Sequence, residues 1–209
     1  MQWRLSKSVI NEDTLPKKIR YVAGVDVAYA KGISVGAVAV LDSDLLSLIE
    51  SQVAYCKTRF PYVPTLLSFR EIPPAVLAIK KLKTQPDVFL VDGQGVAHPF
   101  RFGFASHLGL VIDRPTVGVA KSPLCGEIRK SNDEGWAPIT DKGEVIGAVV
   151  ATFSGGKPIY ISVGHRVSLD RAITIVRHLT RGKRIPEPVW KAHGIANEER
   201  RKLMIVDLK

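Results

Sequence analysis

The 209-residue chain has an ordinary globular composition, with 45% hydrophobic residues, 17 glycines and 13 prolines, which argues against a disordered protein. It contains no apolar run of the ~18 residues that a membrane span requires, and no secretory signal follows Met1. Its two cysteines, Cys56 and Cys125, exclude a disulfide scaffold and a cysteine-based zinc site. We therefore expect a soluble, cytoplasmic protein with no membrane partner.

The net charge of +10 is concentrated near the C-terminal end of the chain. Residues 157–209 hold 12 of the 30 basic residues but only 5 of the 20 acidic ones, and therefore seven of the ten excess charges. Clustered basic charge is typical of proteins that bind a phosphate backbone. A solvated basic face is the alternative, and charge alone does not decide between the two.

The N-terminal part of the chain predicts three strands joined by short turns, over residues 21–29, 35–41 and 45–54. The first is a mostly apolar, valine-rich run, as expected of a central strand buried on both faces. Short connections of this kind favour an antiparallel meander.

Strands and helices then alternate along the chain. The pattern predicts a helix ending near Lys83, an irregular surface segment over 122–143, a hairpin of 145–153 with 159–163, strands over 88–91 and 116–120, and helices over 103–110, 168–180 and 196–206. Three antiparallel strands followed by strand–helix alternation predict an α/β protein whose mixed sheet is flanked by helices. With no linker in sight, we expect one domain spanning 1–209.

Two aspartates stand out because they lie in or directly after apolar strands. Asp26 interrupts the first strand, where an unpaired charge is costly to bury. Asp92 ends the strand 88–91 and is followed by Gly-Gln-Gly, a position at which ligands bind in open α/β sheets. The structural alternatives are a salt-bridged strand aspartate for Asp26 and an ordinary Asp-Gly turn for Asp92.

Glu71 has two interpretations. Ser68 to Glu71 matches a helix capping box, with Ser68 as the N-cap. However, Pro73 and Pro74 would then fall beyond the first turn, where proline disrupts the helix. Sequence alone leaves Glu71 open between a capping residue and a ligand.

Two of the five histidines come near strand ends, His98 after Asp92 and His165 after the apolar run that begins at Ile159. The other three, His107, His178 and His193, are interpreted as structural. For any single histidine, a structural role is the more common one.

Carboxylates brought together in a basic protein suit a hard cation such as Mg²⁺, with Mn²⁺ as a substitute, because the cation offsets their repulsion. With nucleic acid as the partner, the corresponding reaction is metal-assisted phosphodiester hydrolysis.

Five longer runs, in order between Val22 and Pro188, resemble the endonuclease V family, the deoxyinosine 3′ endonucleases of DNA repair. They are Val25–Tyr29, Pro61–Glu71, Val91–Pro99, Gly118–Ser122 and Ser162–Arg166. The resemblance implies a ribonuclease H-like fold, in agreement with the three-stranded antiparallel opening.

The resemblance also implies roles for individual residues. By this resemblance Asp26, Glu71 and Asp92 form the metal-binding carboxylate set, which favours the ligand interpretation of Glu71. His165 matches a histidine placed at the active site. Lys121 matches a lysine that we expect near the phosphate, where its charge would stabilise developing negative charge.

Substrate contacts are implied in the same way. Tyr62, between two prolines, matches the family's wedge residue, with a core aromatic as the alternative. The pocket for the extruded base is implied to be lined by main chain at Thr65, Leu67 and Gly93. Thr65 departs from the family pattern, which often has glycine there, so its side chain is expected to narrow the pocket or change its backbone angles.

The leading hypothesis is a monomeric, Mg²⁺-dependent endonuclease acting on DNA that contains deoxyinosine. The resemblance implies cleavage at the second phosphodiester bond 3′ to the lesion, leaving 3′-hydroxyl and 5′-phosphate ends. The alternatives are a ribonuclease acting on inosine-containing RNA, distinguished by contacts to the 2′-OH, and a non-catalytic nucleic-acid-binding module. The intact acids argue against the last.

Overall fold

The computed structural model describes residues 1–152 and 156–205, which form one large sheet with helices on both faces. The strands are β1 (Tyr21–Ala30), β2 (Ile33–Asp42), β3 (Leu48–Lys57), β4 (Val88–Asp92), β5 (Thr116–Ala120), β6 (Glu127–Ile128), β7 (Trp136–Asp141), β8 (Glu144–Val150) and β9 (Ile159–His165). The helices are α1 (Gln2–Ser6), α2 (Leu67–Ile79), α3 (Phe104–Ile112), α4 (Leu169–His178) and α5 (Glu187–Ile205). No helix of this part of the chain is long and apolar enough to cross a membrane.

The strand order is β3-β2-β1-β4-β5-β9-β8-β7-β6. Strands β1 to β3 form an antiparallel meander, β4 is parallel to β1, and β5 is parallel to β4. Strand β9 then runs antiparallel to β5. The predicted mixed α/β sheet is therefore confirmed.

Alternate side chains of β1 pack into two different layers, as expected of a strand buried on both faces. Ala23 and Val25 belong to the apolar cluster under α2 and α3. Val22 belongs to the cluster that includes α4 and the start of α5. By this alternation the side chain of Asp26 lies on the same face as Val22, towards α5.

Two glycines allow helices to lie directly on the sheet. A Cβ atom at Gly24 would lie 1.8 Å from the carbonyl oxygen of Pro188, at the start of α5. A Cβ atom at Gly36 would lie 2.1 Å from the carbonyl oxygen of Pro74 in α2. Only glycine permits such close approach of one backbone to another. Gly24, which is two residues before Asp26 in β1, therefore sets the position of α5 on the sheet.

Two local predictions are wrong, and one open alternative is decided. Residues 122–143 are not wholly irregular, because β6 and β7 extend the sheet there. Helix α5 begins at Glu187, nine residues before the predicted start at 196. The capping box at Ser68, one of the two open interpretations of Glu71, does not form, since α2 already begins at Leu67 and the Ser68 hydroxyl instead bonds Nδ1 of His107.

These errors share a cause, which is that tertiary packing outweighs local propensity. Helix α2 keeps Pro73 and Pro74 in its interior while it packs on β2 and β3, and α5 tolerates Pro188 because it lies in the first turn. Residue 153, at the end of the predicted strand 145–153, residues 154 and 155 of the predicted hairpin turn 154–157, and the helix end at 206 lie outside the described residues.

Candidate active site

Asp26 and Asp92 lie side by side on neighbouring parallel strands. Val25 pairs with Val91, so the two aspartates follow at the same level, where β4 ends and β1 continues. Asp26 is only 8% exposed, and the Asp92 side chain only 14%. Two nearly buried carboxylates in contact distance of one another require positive charge nearby.

His193 of α5 contacts both carboxylates. Its Nδ1 lies 2.8 Å from Oδ2 of Asp26 and 3.6 Å from Oδ2 of Asp92. Nδ2 of Asn197, one helical turn later, lies 3.1 Å from Nε2 of His193 and donates to the His193 carbonyl at 2.9 Å. Each of Asp26, Asp92 and His193 offers a ligand atom, and these atoms all lie within 4.8 Å of one another. The three side chains could therefore hold a metal ion.

Lys121 lies on the other side of Asp92. It follows β5, which is parallel to β4, so both residues leave the sheet at the same end. Its Nζ donates to Oδ2 of Asp92 at 2.5 Å. Arg184 in turn donates to the main-chain carbonyl of Lys121. A basic residue of the charge-rich C-terminal region thus supports the lysine beside the carboxylates.

Glu71 reaches the same group from α2, on the opposite face of the sheet. Its residue is 9% exposed, and burial raises the pKa of its carboxyl group well above the ordinary range. The charges of Asp26 and Asp92 raise this pKa further, while Arg70 opposes the shift. Glu71 is therefore close enough to interact electrostatically with both aspartates.

The titration of the other groups follows from the same crowding. Burial, and then the charge of Asp26, raise the pKa of Asp92, whereas Lys121 and His193 oppose the shift. The hydrogen bond to Asp26 raises the pKa of His193, against the effect of burial. Carboxylates and an imidazole with shifted pKa values in one cleft are typical of functional sites.

A cavity of about 400 Å³ opens beside the carboxylates. It is lined by all four predicted substrate contacts together with three residues of the charged group: Tyr62, Thr65, Leu67, Gly93, Glu71, Asp92 and Lys121. Its volume lies within the range of small-molecule sites. Tyr62 projects at the mouth of this cavity and is 69% exposed, which excludes the core-aromatic alternative.

The structure does not bring His165, predicted as an active-site residue, together with this group. Because β9 is antiparallel to β5, its last residue pairs with Thr116, the first residue of β5. Thr116 is level with Phe89, which is three residues before Asp92 and so roughly 10 Å away along the strand. His165 is 2% exposed there; its Nδ1 accepts from the Ile10 amide, and its Nε2 lies 3.7 Å from Asp113.

His193 is the functional candidate that sequence reasoning missed, because it was interpreted as structural. Two signals pointed to it. Gly24 in a buried strand indicated that another backbone approaches near Asp26. Pro188 indicated a helix start, and from there His193, Asn197 and Arg200 recur at helical spacing on one face.

Two other histidines, His98 and His107, make contacts of their own. His98 is buried in the wall of the cavity, and His107 packs between the rings of Phe69 and Phe102, at centroid distances of 4.8 and 5.0 Å. Arg200 lines a second cavity, of about 440 Å³, that also contains Asp26, Asp92 and His193. Arg177, by contrast, donates to the backbone carbonyls of residues 134 and 135, away from this group.

Comparison with known proteins identifies the family of this chain. Residues 3–194 match the family model described as Endonuclease V. A protein of that name from Thermofilum pendens is 48% identical over 193 residues, which are 92% of this chain and 83% of the relative.

Solved structures match along nearly the whole chain. The crystal structure of Endonuclease V from Streptomyces avermitilis superposes with a TM-score of 0.91 at 39% identity, covering 97% of this chain and 91% of that one. Endonuclease V from Ciona intestinalis, in complex with a 24mer DNA containing an inosine followed by a ribo-adenosine, gives a TM-score of 0.84 at 33% identity, with coverage of 97% and 95%.

The fold is therefore ribonuclease H-like, as predicted, and its carboxylates lie in the sheet at the end of β4. The family match covers most of the sequence, and the acids, the lysine and the adjoining cavity are all present. This chain is a nuclease that belongs to the Endonuclease V family.

Proposed function

We propose that this protein is a Mg²⁺-dependent endonuclease that recognises deoxyinosine in DNA and hydrolyses the second phosphodiester bond 3′ to the lesion. Mn²⁺ is proposed as a substitute ion. The observation that carries the proposal is the position of Asp92, which lines two cavities. One is the base-sized cavity, and the other also contains Asp26 and His193. The protein is proposed to act as a monomer.

The donor atoms fit a divalent cation. Asp26 and Asp92 provide carboxylate oxygens, the ligands that Mg²⁺ and Mn²⁺ prefer, and His193 adds a nitrogen that suits Mn²⁺ better than Mg²⁺. Burial, and after it the negative charge of neighbouring carboxylates, raises the pKa of both Glu71 and Asp92. When bound, a divalent cation would offset this charge and polarise the scissile phosphate.

The chain's own residues supply the remaining chemistry. Lys121, with Nζ 2.5 Å from Asp92, presents positive charge where negative charge develops on the phosphate during attack by water. His193 holds the carboxylate of Asp26 in orientation through its 2.8 Å contact. Arg200, in the second cavity, is available to the phosphate backbone as it passes the carboxylates.

Recognition of the base is proposed to use the first cavity. Enzymes that act on a base usually extrude it from the helix, and a weakly paired base such as hypoxanthine is extruded at lower cost. Tyr62, exposed between Pro61 and Pro64, would fill the space left in the stack. Thr65, Leu67 and Gly93 would surround the extruded base. The inosine in the DNA bound to the Ciona relative supports this choice of base.

The proposed cutting position rests on the resemblance to the endonuclease V family, which implies the second phosphodiester bond on the 3′ side of the lesion. An extruded nucleotide in the cavity cannot also occupy the carboxylate group, so the phosphate that is attacked lies further along the strand. We place it at the second bond on the 3′ side. Water attacks the phosphorus in line and the bond from phosphorus to the 3′ oxygen breaks. The 3′ oxygen leaves as a 3′-hydroxyl, and the phosphate stays on the 5′ end of the other strand segment.

An inosine-containing RNA is a second candidate substrate. The DNA strand bound to the Ciona relative contains an inosine followed by a ribo-adenosine. The nucleic acid bound to this related protein therefore carries a 2′-OH next to the inosine. The 2′-OH is the group by which a protein distinguishes RNA from DNA.

The test uses end-labelled DNA and RNA strands of one sequence, each with a single inosine, incubated with and without Mg²⁺. We expect Mg²⁺-dependent products that end one nucleotide beyond the inosine, with the base still attached. Release of free hypoxanthine, cleavage on the 5′ side, or equal cleavage of strands without inosine would contradict the proposal. Faster cleavage of the RNA strand would favour the second candidate.

A further inference from the structure

The short N-terminal helix α1 sends one polar side chain into the protein. Gln2 is 5% exposed, whereas its neighbours Met1 and Trp3 are 86% and 62% exposed. A buried amide must be hydrogen-bonded to be tolerated. Nε2 of Gln2 donates to the carbonyl of Thr65 at 2.7 Å and lies 3.3 Å from the carbonyl of Phe102.

These two carbonyls belong to two different walls of the base cavity. Thr65 lies in the segment between β3 and α2 that also carries Tyr62, and it lines the cavity. Phe102 lies in the segment between β4 and α3 and directly precedes Gly103, which lines the cavity as well. The side-chain amide of Gln2, which comes from a third part of the chain, therefore connects these two walls of the base cavity.

The Thr65 wall needs such support because its backbone is strained. Thr65 has φ of +68°, and among the seven non-glycine residues with positive φ in the described ranges it is the one with a β-branched side chain. A β-branched residue is disfavoured in this left-handed conformation, which glycine adopts freely. The carbonyl that Gln2 holds is that of the strained residue itself.

We propose that Gln2 is a positioning residue that keeps Thr65 in its left-handed conformation and thereby sets the shape of the base cavity. This inference rests on the proposed function of that cavity. Gln2 acts through Thr65 and Phe102, and its effect is on the recognition of the base rather than on hydrolysis.

The experiment replaces Gln2 by methionine, which has a similar length and no N–H donor. Binding is measured without divalent cations on an inosine-containing duplex and on the same duplex without inosine. We expect Gln2→Met to bind the inosine duplex roughly tenfold more weakly, as loss of the two hydrogen bonds predicts, and the control duplex unchanged. With Mg²⁺ and saturating inosine substrate, kcat should stay within about twofold while KM rises by a similar factor to the binding loss.

Three further proteins make the result specific. Ser6→Ala in the same helix removes a hydroxyl that bonds only within α1, to the Trp3 carbonyl, and should bind like the unmodified protein. Gln2→Asn keeps the amide but is too short to reach, so it should lose as much as Gln2→Met. In a Thr65→Gly background, where positive φ is unstrained, Gln2→Met should lose less than about threefold.

Thermal unfolding of each variant shows that binding is compared between folded proteins. Equal losses on both duplexes, an undiminished loss in the Thr65→Gly background, or unchanged inosine binding by both Gln2→Met and Gln2→Asn would overturn the inference. If the unmodified protein itself did not distinguish the two duplexes, the proposed function would fail and the inference with it. If it did distinguish them and the Gln2 variants did so equally well, the inference alone would fail.

Discussion

His193 and His165 differ in everything except residue type. His193 lies on a helix, is partly exposed, and contacts both Asp26 and Asp92. His165 ends a strand, is almost fully buried, and accepts a hydrogen bond from the Ile10 backbone. The hydrogen bond to Asp26 raises the pKa of His193, whereas burial lowers the pKa of His165.

The difference shows that a histidine's role depends on its partners and on the direction of its strand. Both histidines come from apolar surroundings in sequence, and His165 has the clearer strand-end position. Because β9 runs antiparallel to β5, that position lies at the end of the sheet away from Asp92. There His165 helps to hold the N-terminal segment, whose Ile10 carbonyl also accepts from the Arg166 amide at 2.7 Å.

The largest effect is expected for Asp92, the carboxylate beside His193. Asp92→Asn should lower the cleavage rate by at least roughly a thousandfold, because it removes a cation ligand worth several kcal/mol in the transition state. DNA affinity should persist or rise, since it depends on basic groups and one negative charge is lost. Single-turnover cleavage and binding of the inosine duplex measure the two effects separately.

Asp113→Asn is the matched control for that prediction. Asp113 lies beside His165, is 71% exposed and pairs with Arg166, and asparagine accepts its left-handed backbone, with φ of +50°. An exposed ion pair contributes little, so cleavage should stay within about twofold. Near-normal cleavage by Asp92→Asn, or a large loss in Asp113→Asn, would reverse the roles assigned to the two ends of the sheet.

The histidines themselves give the next largest effect. His193→Gln should lower the cleavage rate by roughly a hundredfold, since groups oriented beside the reacting phosphate contribute on that scale, with little change in unfolding free energy. His165→Phe, which keeps a ring but has no acceptor, should lower the unfolding free energy by about 1–3 kcal/mol, because the Ile10 amide loses its partner in a partly buried place. Denaturant unfolding and cleavage by the folded protein distinguish the two outcomes. The reverse pattern would return the catalytic role to His165.

A smaller effect is expected at the cavity mouth beside His193. Tyr62→Ala should weaken binding to the inosine duplex by roughly ten- to a hundredfold, because base–aromatic stacking contributes ~1–3 kcal/mol. Binding to undamaged duplex should change little, since phosphate contacts dominate there. Tyr62→Phe keeps the ring and should behave like the unmodified protein. Equal losses on both duplexes would show that Tyr62 does not read the lesion.

The smallest effect concerns His107, a histidine that is neither catalytic nor at a strand end. Burial lowers its pKa from 6.5 to about 4. Above pH 6.5 the imidazole is neutral in both states; as the pH falls from 6.5 towards 4, the unfolded chain binds a proton that the folded protein excludes, so stability is lost. Allowing for partial solvent screening, this loss is about 1 kcal/mol at pH 5.

The measurement is the difference in unfolding free energy between the unmodified protein and His107→Gln, at pH 7.5 and at pH 5. Glutamine keeps a partner for Ser68 and does not titrate, so the variant should lose less stability on acidification. His98 and His165, whose pKa values are also lowered, are common to both proteins and cancel in the difference. If both proteins lost the same unfolding free energy on acidification, the pKa of His107 would be the same in the folded and unfolded states, and the prediction would be wrong.

Much of the architecture could be predicted from local sequence. The apolar runs around Asp26 and Asp92 are long and valine-rich, so hydrophobic burial alone specifies strands there. A carboxylate in such a run is costly enough that its presence by itself indicates a functional position. The motif runs identified the family for the same reason, since they surround the positions where chemistry restricts the residue type.

The partners of those carboxylates depended on tertiary structure. Helix α5 looked unremarkable in sequence because its first turns contain Pro188 and Gly194, and it is placed by the contact of its backbone with Gly24. Strand direction, which local sequence does not encode, separated His165 from Asp92. Local sequence patterns specified which acids were available and in which strands the two aspartates lie. Only the packing of α5 and the antiparallel course of β9 decided which histidine meets them, because both depend on contacts between residues far apart in the chain.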